Sequence, residues 1–171
     1  LNRDQAIATT TARGGTVFGI YPFSKFRRLE MSAGVAQYNE RFDDPALEEF
    51  NQELQEQQFG TQLFRNGVFV PLNIAFVQET TVFREFGPIA GNTMRLGFGY
   101  SPKVGNSLTQ RNIDADARYY LRLGETGSLA LRARGFQSWG ESPDYLFFGG
   151  NSELRGYDYL EFVGHKAFHM N

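Results

Sequence analysis

The sequence predicts an all-β chain of long antiparallel strands, of the kind that closes into a transmembrane β-barrel. Three observations point there: a composition rich in glycine and aromatics, long segments of period-two alternation, and connections that are short at one end and long at the other. Among 171 residues, 17 Phe, 8 Tyr and 1 Trp bring aromatics to 15%, beside 19 Gly. That excludes disorder, which starves a chain of aromatics. It also weighs against a helical bundle, since glycine disfavours helix interiors and aromatics favour strands.

In chain order, the first well-marked strand covers 28–42, with Leu29, Met31, Ala33 and Val35 on one face before the pattern drifts. In 68–79, Val68, Val70, Leu72, Ile74 and Phe76 alternate with Asn73, Ala75 and Glu79. In 93–101, Met94, Leu96, Phe98 and Tyr100 oppose the small or polar Thr93, Arg95, Gly97, Gly99 and Ser101. The clearest case is 109–123: Ile113, Ala115, Ala117, Tyr119, Leu121 and Leu123 against Asn112, Asp114, Asp116, Arg118, Tyr120 and Arg122. In 128–138, Leu129, Leu131 and Ala133 stand against Ser128, Arg132 and Arg134. These segments run about 9 to 15 residues, where a tilted membrane strand needs about 9 to 11 and soluble strands average about 5 to 6.

Short turns are expected at 21–25, at 87–91 with Pro88, and at 124–127; the long connections are 43–65, 102–106 and 140–164. Short turns at one end and long loops at the other is the bacterial outer-membrane arrangement. Aromatics near strand ends, Tyr21, Phe23, Phe26, Phe83 and Phe86 at one rim and Tyr38, Phe42 and Tyr100 at the other, match interfacial girdles. Within the long loop 43–65, Asp44 and Pro45 followed by Leu47, Phe50 and Leu54 predict a short amphipathic helix ended by Gly60, its other face acidic with Glu48, Glu49, Glu53 and Glu56. A soluble barrel or sandwich is the competing fold, and it requires Met94, Leu96 and Phe98 to face a protein core.

About six strands plus the start of another at 165–171 fall short of the 8 that a membrane barrel needs. Residues 1–171 are therefore expected to be a fragment of one barrel domain, whose remaining strands complete it. No signal peptide is read at Leu1, and no run of 18 apolar residues predicts a transmembrane helix. With 17 basic and 19 acidic residues the net charge is -2, so no basic field exists for nucleic acid. The absence of Cys removes disulfides, thiolate chemistry and cysteine zinc sites.

The stretch Phe147-Phe148-Gly149-Gly150-Asn151-Ser152-Glu153-Leu154-Arg155-Gly156-Tyr157 lies in the last long connection. It resembles the sixth-loop signature of the BamA-like outer-membrane barrel superfamily, bacterial surface antigen branch: a Gly-Gly segment, then an aliphatic-Arg-Gly-aromatic tetrad, here Leu154-Arg155-Gly156-Tyr157. The run 163–167 looks like the start of the next family strand, and 86–91 resembles a turn common in that branch. The resemblance covers most of the chain and implies the middle of a sixteen-stranded barrel, with 140–164 inserted into the lumen. It also implies bacterial outer-membrane localisation and a role in inserting or translocating proteins, or lipids, without covalent chemistry. Expected partners are outer-membrane lipid, the rest of the barrel, and client barrels or envelope complex subunits.

A guanidinium in a lumen needs acceptors around it. In the family the tetrad arginine pairs with an acidic wall residue on a strand expected beyond Asn171; Asp114 and Asp116 are the candidate partners within this sequence. Gly149, Gly150 and Gly156 permit close turns, and Tyr157 supplies an amphipathic ring. Arg95, Arg118, Arg122, Arg132 and Arg134 share the polar side and read as lumen charges in salt bridges, or as the lining of an anion-selective pore. His165 and His169 are roughly 13 Å apart on a strand, too far to share a metal. The 97–100 Gly-Phe-Gly-Tyr run lacks the rest of a nucleotide fingerprint and is better explained as small residues on the lumen face. No nucleophile elbow or ordered triad is present. No enzyme activity, cofactor or metal is expected. A plugged structural or surface antigen barrel anchoring an envelope complex and an arginine-lined solute pore are the alternative functions.

Overall fold

A computed structural model of the chain describes residues 8–59, 66–85, 87–124, 127–150, 156–159 and 161–171. The elements are β1 (Ala8–Ser24), β2 (Arg27–Phe42), α1 (Pro45–Phe59), β3 (Gly67–Phe69), β4 (Leu72–Glu79), β5 (Val82–Arg84), β6 (Gly87–Ser101), β7 (Gln110–Leu123), β8 (Gly127–Gly140), β9 (Leu146–Phe148), β10 (Phe162–Gly164) and β11 (Lys166–Met170). The main sheet runs β1-β2-β4-β6-β7-β8-β11, every neighbouring pair antiparallel; β3 also pairs with β2 and β5 with β6, and β9 and β10 form a separate small hairpin. Among the described residues no strand pairs with the outer edge of β1 or of β11, and no closed barrel forms.

Period-two sequences become a two-faced sheet only if adjacent strands keep register, because a one-residue slip moves every side chain to the other face. Here the rows carry straight across. Met31 pairs with Ile74, Ile74 with Phe98 and Phe98 with Ile113. The next apolar row is Leu29, Phe76, Leu96, Ala115, Gly135 and Phe168. Nothing among the described residues covers this face: Leu96 is 48% exposed and Phe98 44%. The buried apolar side chains Ala75 and Val77 lie instead on the opposite, polar face, between Glu30 and Gly97 and between Arg28 and Arg95.

Two strand boundaries depart from the sequence reading for identifiable reasons. The expected strand over 68–76 is interrupted at Val70 and Pro71, since proline has no N–H for the ladder. Register survives the break, with Ala36 opposite Phe69 before it and Ala33 opposite Leu72 after it. The Val70 N–H finds the Ser101 hydroxyl at 3.0 Å, and the Pro71 carbonyl accepts from Gly34.

The turn expected at 87–91 is strand instead: β6 extends back to Gly87, and the hairpin reverses beside Glu85. What lies opposite Gly91 is the gap between β4 and β5, where Thr80 exchanges hydrogen bonds with Asn92 and the Thr81 hydroxyl meets that of Thr93 at 2.7 Å.

α1 begins at Asp44, whose carboxylate accepts the Ala46 N–H at 2.9 Å, with Pro45 as the first helical residue.

Gly91 has φ +95°, and a methyl there would press on the Thr80 carbonyl; Gly105, at φ +59°, has open space. Gly105→Ala should cost about 1–2 kcal/mol, the left-handed backbone penalty alone. Gly91→Ala should cost more, because backbone must also move. Thermal unfolding of the two variants compares them, and equal losses would show that Thr80 yields freely.

Candidate functional site

The polar face carries the chemistry. Its register rows are Arg28, Val77, Arg95, Asp116, Arg134 and His169; then Glu30, Ala75, Gly97, Asp114 and Phe136; then Ser32, Asn73, Gly99, Asn112 and Ser138. The charges neutralise one another across strands. Asp114 pairs with Arg95. Asp116 takes two guanidinium groups, accepting from Arg118 at 3.0 and 3.1 Å and from Arg132 at 2.7 and 3.2 Å. Toward the β2 side, Arg28 bridges Glu30 at 2.8 Å and Glu79 at 2.6 Å. Arg122 donates to the Gly124 carbonyl at 3.0 Å, and Arg134 stands opposite Asp116 in the ladder.

Glycine makes room for this network. A Cβ at Gly97 would collide with the Asp114 carboxylate and the Arg95 guanidinium, and one at Gly99 with the amides of Asn112 and Asn73. The Gly-Phe-Gly-Tyr run thus places two small residues under polar side chains while Phe98 and Tyr100 point to the apolar face.

The connection after β8 turns back over this face. The Asp144 N–H donates to the Ser138 hydroxyl at 2.8 Å, and that hydroxyl donates to the Arg111 carbonyl at 2.9 Å. Phe148 stacks on His169, with centroids 5.7 Å apart and planes 15° apart, and on Phe162 at 5.3 Å; Tyr145 meets His165 edge-on at 6.2 Å. The two histidines, read in the sequence only as an unsuitable metal pair, are the floor under the loop aromatics. Their four-residue spacing, which puts both on one face of a strand, was the available signal; which ring lands on which required the fold.

Of the signature residues, Leu154 and Arg155 lie outside the described residues. Gly149, Gly150 and Gly156 have φ of +137°, +84° and +91°, a region only glycine enters freely. A side chain on Gly150 would sit against Tyr159, and Tyr157 packs edge-on against Phe162 at 5.0 Å. Asp114 and Asp116 are engaged by wall arginines as above. Among the described residues no group of three or more His, Asp or Glu is placed to hold a metal.

At the long-connection end of the strands, two acids on the same connection are driven apart. The Lys103 ammonium, 2.9 Å away, and the Thr109 N–H at 3.1 Å hold Glu141 below the usual carboxylate range. Asp144 retains some solvent-exposed surface, yet the protein around its carboxyl shields it enough for burial to lift its pKa, partly offset by the Tyr145 N–H at 2.9 Å.

The two carboxyls are therefore expected to shift in opposite senses, Asp144 above the ordinary aspartate value and Glu141 below the ordinary glutamate value. Ionised Asp144 opposes loop docking and ionised Glu141 favours it. A carboxyl NMR titration checks both directions, and an Asp144 value at or below the ordinary aspartate range would place its carboxyl in open water.

Phe148→Ala removes two ring contacts worth about 0.5–1.5 kcal/mol each. It should render 146–164 sensitive to limited proteolysis while leaving the main sheet folded; unchanged protection would mean that the connection is held by other contacts. No protein-family model matches the chain, and no curated protein matches it.

Proposed function

We propose that this chain is the middle of a bacterial outer-membrane β-barrel of the BamA-like type, surface antigen branch, and that the complete barrel inserts or translocates proteins, or lipids, at that membrane. The observation that carries the membrane reading is the uncovered apolar face spanning seven strands in register, backed by a face of paired charges. In hydrocarbon such a sheet satisfies its backbone internally and exposes only greasy side chains. The short hairpins after β1, β5 and β7 lie in the periplasm, and the long connections after β2, β6 and β8 lie outside. The free edges of β1 and β11 are where the remaining strands pair, since open edges in lipid strand donors and acceptors.

The assembly role rests on the resemblance of 147–157 to the sixth-loop signature and on the way its flanks pack over the polar face. No covalent step is involved: a weakly paired seam and a thinned bilayer lower the barrier for other strands to enter. A plugged structural barrel is the second reading, favoured by the mutual pairing of Arg95, Arg118 and Arg132 with Asp114 and Asp116. The same pairing leaves little free positive charge at those positions for an anion pore.

Two experiments test this. Leu96→Arg in the full-length protein should cost about 2–4 kcal/mol of folding stability in lipid vesicles, and a neutral result argues against lipid contact. Depletion of the protein in its own cells should leave other outer-membrane barrels unassembled; normal assembly would leave only the structural role.

A further inference from the structure

Above the arginine rows, the polar face changes character. Toward the long-loop end, the rim of β1 and β2 faces the 142–147 segment across a cleft of about 360 Å3. Four aromatic residues line it: Tyr38 and Phe69, in edge-to-face contact at 5.7 Å on one wall, and Tyr145 and Phe147 on the other. Among its described lining residues the formal charges are both negative, Glu40 from β2 and Asp144 from the loop, with no Lys or Arg beside them. The cleft is therefore distinct from the deeper network, where arginines and carboxylates cancel.

We propose that this cleft is a binding site for an organic cation, a guanidinium or ammonium group, held between the aromatic faces and the carboxylates of Glu40 and Asp144. Ring faces are negative at their centres and attract cations most strongly where water is excluded. The volume lies within the range of small-ligand pockets. The Glu40 backbone exchanges hydrogen bonds with the Asn66 side chain at 2.6 and 2.9 Å, which ties down this part of the β2 wall without engaging the Glu40 carboxylate. The Asp144 backbone is anchored by Ser138 on the other wall. Two walls from separate parts of the chain thus hold one acid each, and a cation in the cleft between them meets both. The site stands on its own geometry, independent of the membrane reading.

The cation has two sources, a basic side chain of a polypeptide or a free polyamine. Calorimetric titration of the full-length protein in detergent separates them, using N-acetyl-arginine amide and putrescine as probes and the neutral N-acetyl-citrulline amide as control. Binding of either cation at least tenfold tighter than the control, weakened about tenfold by Glu40→Gln and again by Asp144→Asn, supports the site. The tighter of the two cations identifies the source. Equal binding of arginine amide and citrulline amide, no binding of either cation, or affinities unmoved by both substitutions would overturn it. Binding that emerges only after Arg155→Ala would also overturn it, by making the occupant the chain's own guanidinium.

Discussion

Register is the constraint on which everything else rests. From β1 to β11 the ladders run with constant pairing, and the bulges fall near the short turns, at Pro22 to Ser24 and at Val82 to Phe83. Because side chains alternate, this constancy sorts most large apolar residues to one side, while Phe18 and Ile20 of β1 and Phe136 of β8 fall on the polar side. Pro71 shows how strongly it is enforced. The ladder loses bonds there, yet the strand resumes in phase, because a slip would turn Leu72, Ile74 and Phe76 onto the charged face and Ala75 and Val77 off it.

Register also decides the electrostatics. It sets Arg118 directly opposite Arg132, a like-charge pair that by itself destabilises an antiparallel ladder. Asp116, one row away, accepts from both and offsets that repulsion. Arg132 is the more enclosed of the two, so this contact is less screened than the exposed pair of Lys103 and Glu141 at the long-connection end, which contributes little to stability. Glycine completes the arrangement: where Arg95 and Asp114 meet, the intervening Gly97 has no side chain to obstruct them.

The face divides into zones along the strands. Balanced ion pairs occupy the part nearer the short turns. A row of Ser32, Asn73, Asn112 and Ser138 follows, with His165 beside Ser138 under the returning loop, whose Phe148 reaches back to His169 in the arginine row. Beyond these lies the acidic, aromatic cleft. Each zone is coherent because neighbouring strands contribute residues at the same height, and the loop couples the upper two through Ser138, Asp144 and Tyr145.

The strand character of this chain was legible in its letters: period-two alternation over 93–101 and 109–123 is a local property, set by each residue's own polarity, and the cap at Asp44 with Pro45 is equally local. Partnership was not. That Asp114 would hold Arg95, that Asp116 would be shared by two arginines, and that Phe148 would settle on His169 depend on which strand lies beside which and on where a connection returns. The turn placed at 87–91 failed for the same reason: Pro88 and two glycines read as a turn in isolation, but β5 pairs Val82 with Ala90, Phe83 with Pro88 and Arg84 with Gly87 and keeps the segment extended. Sequence by itself determined the two faces, because alternation needs only neighbours in the chain. Tertiary structure alone decided the cross-strand ion pairs, the loop platform and the cleft, because each joins residues far apart in sequence whose energies of contact exist only after the strands are in register.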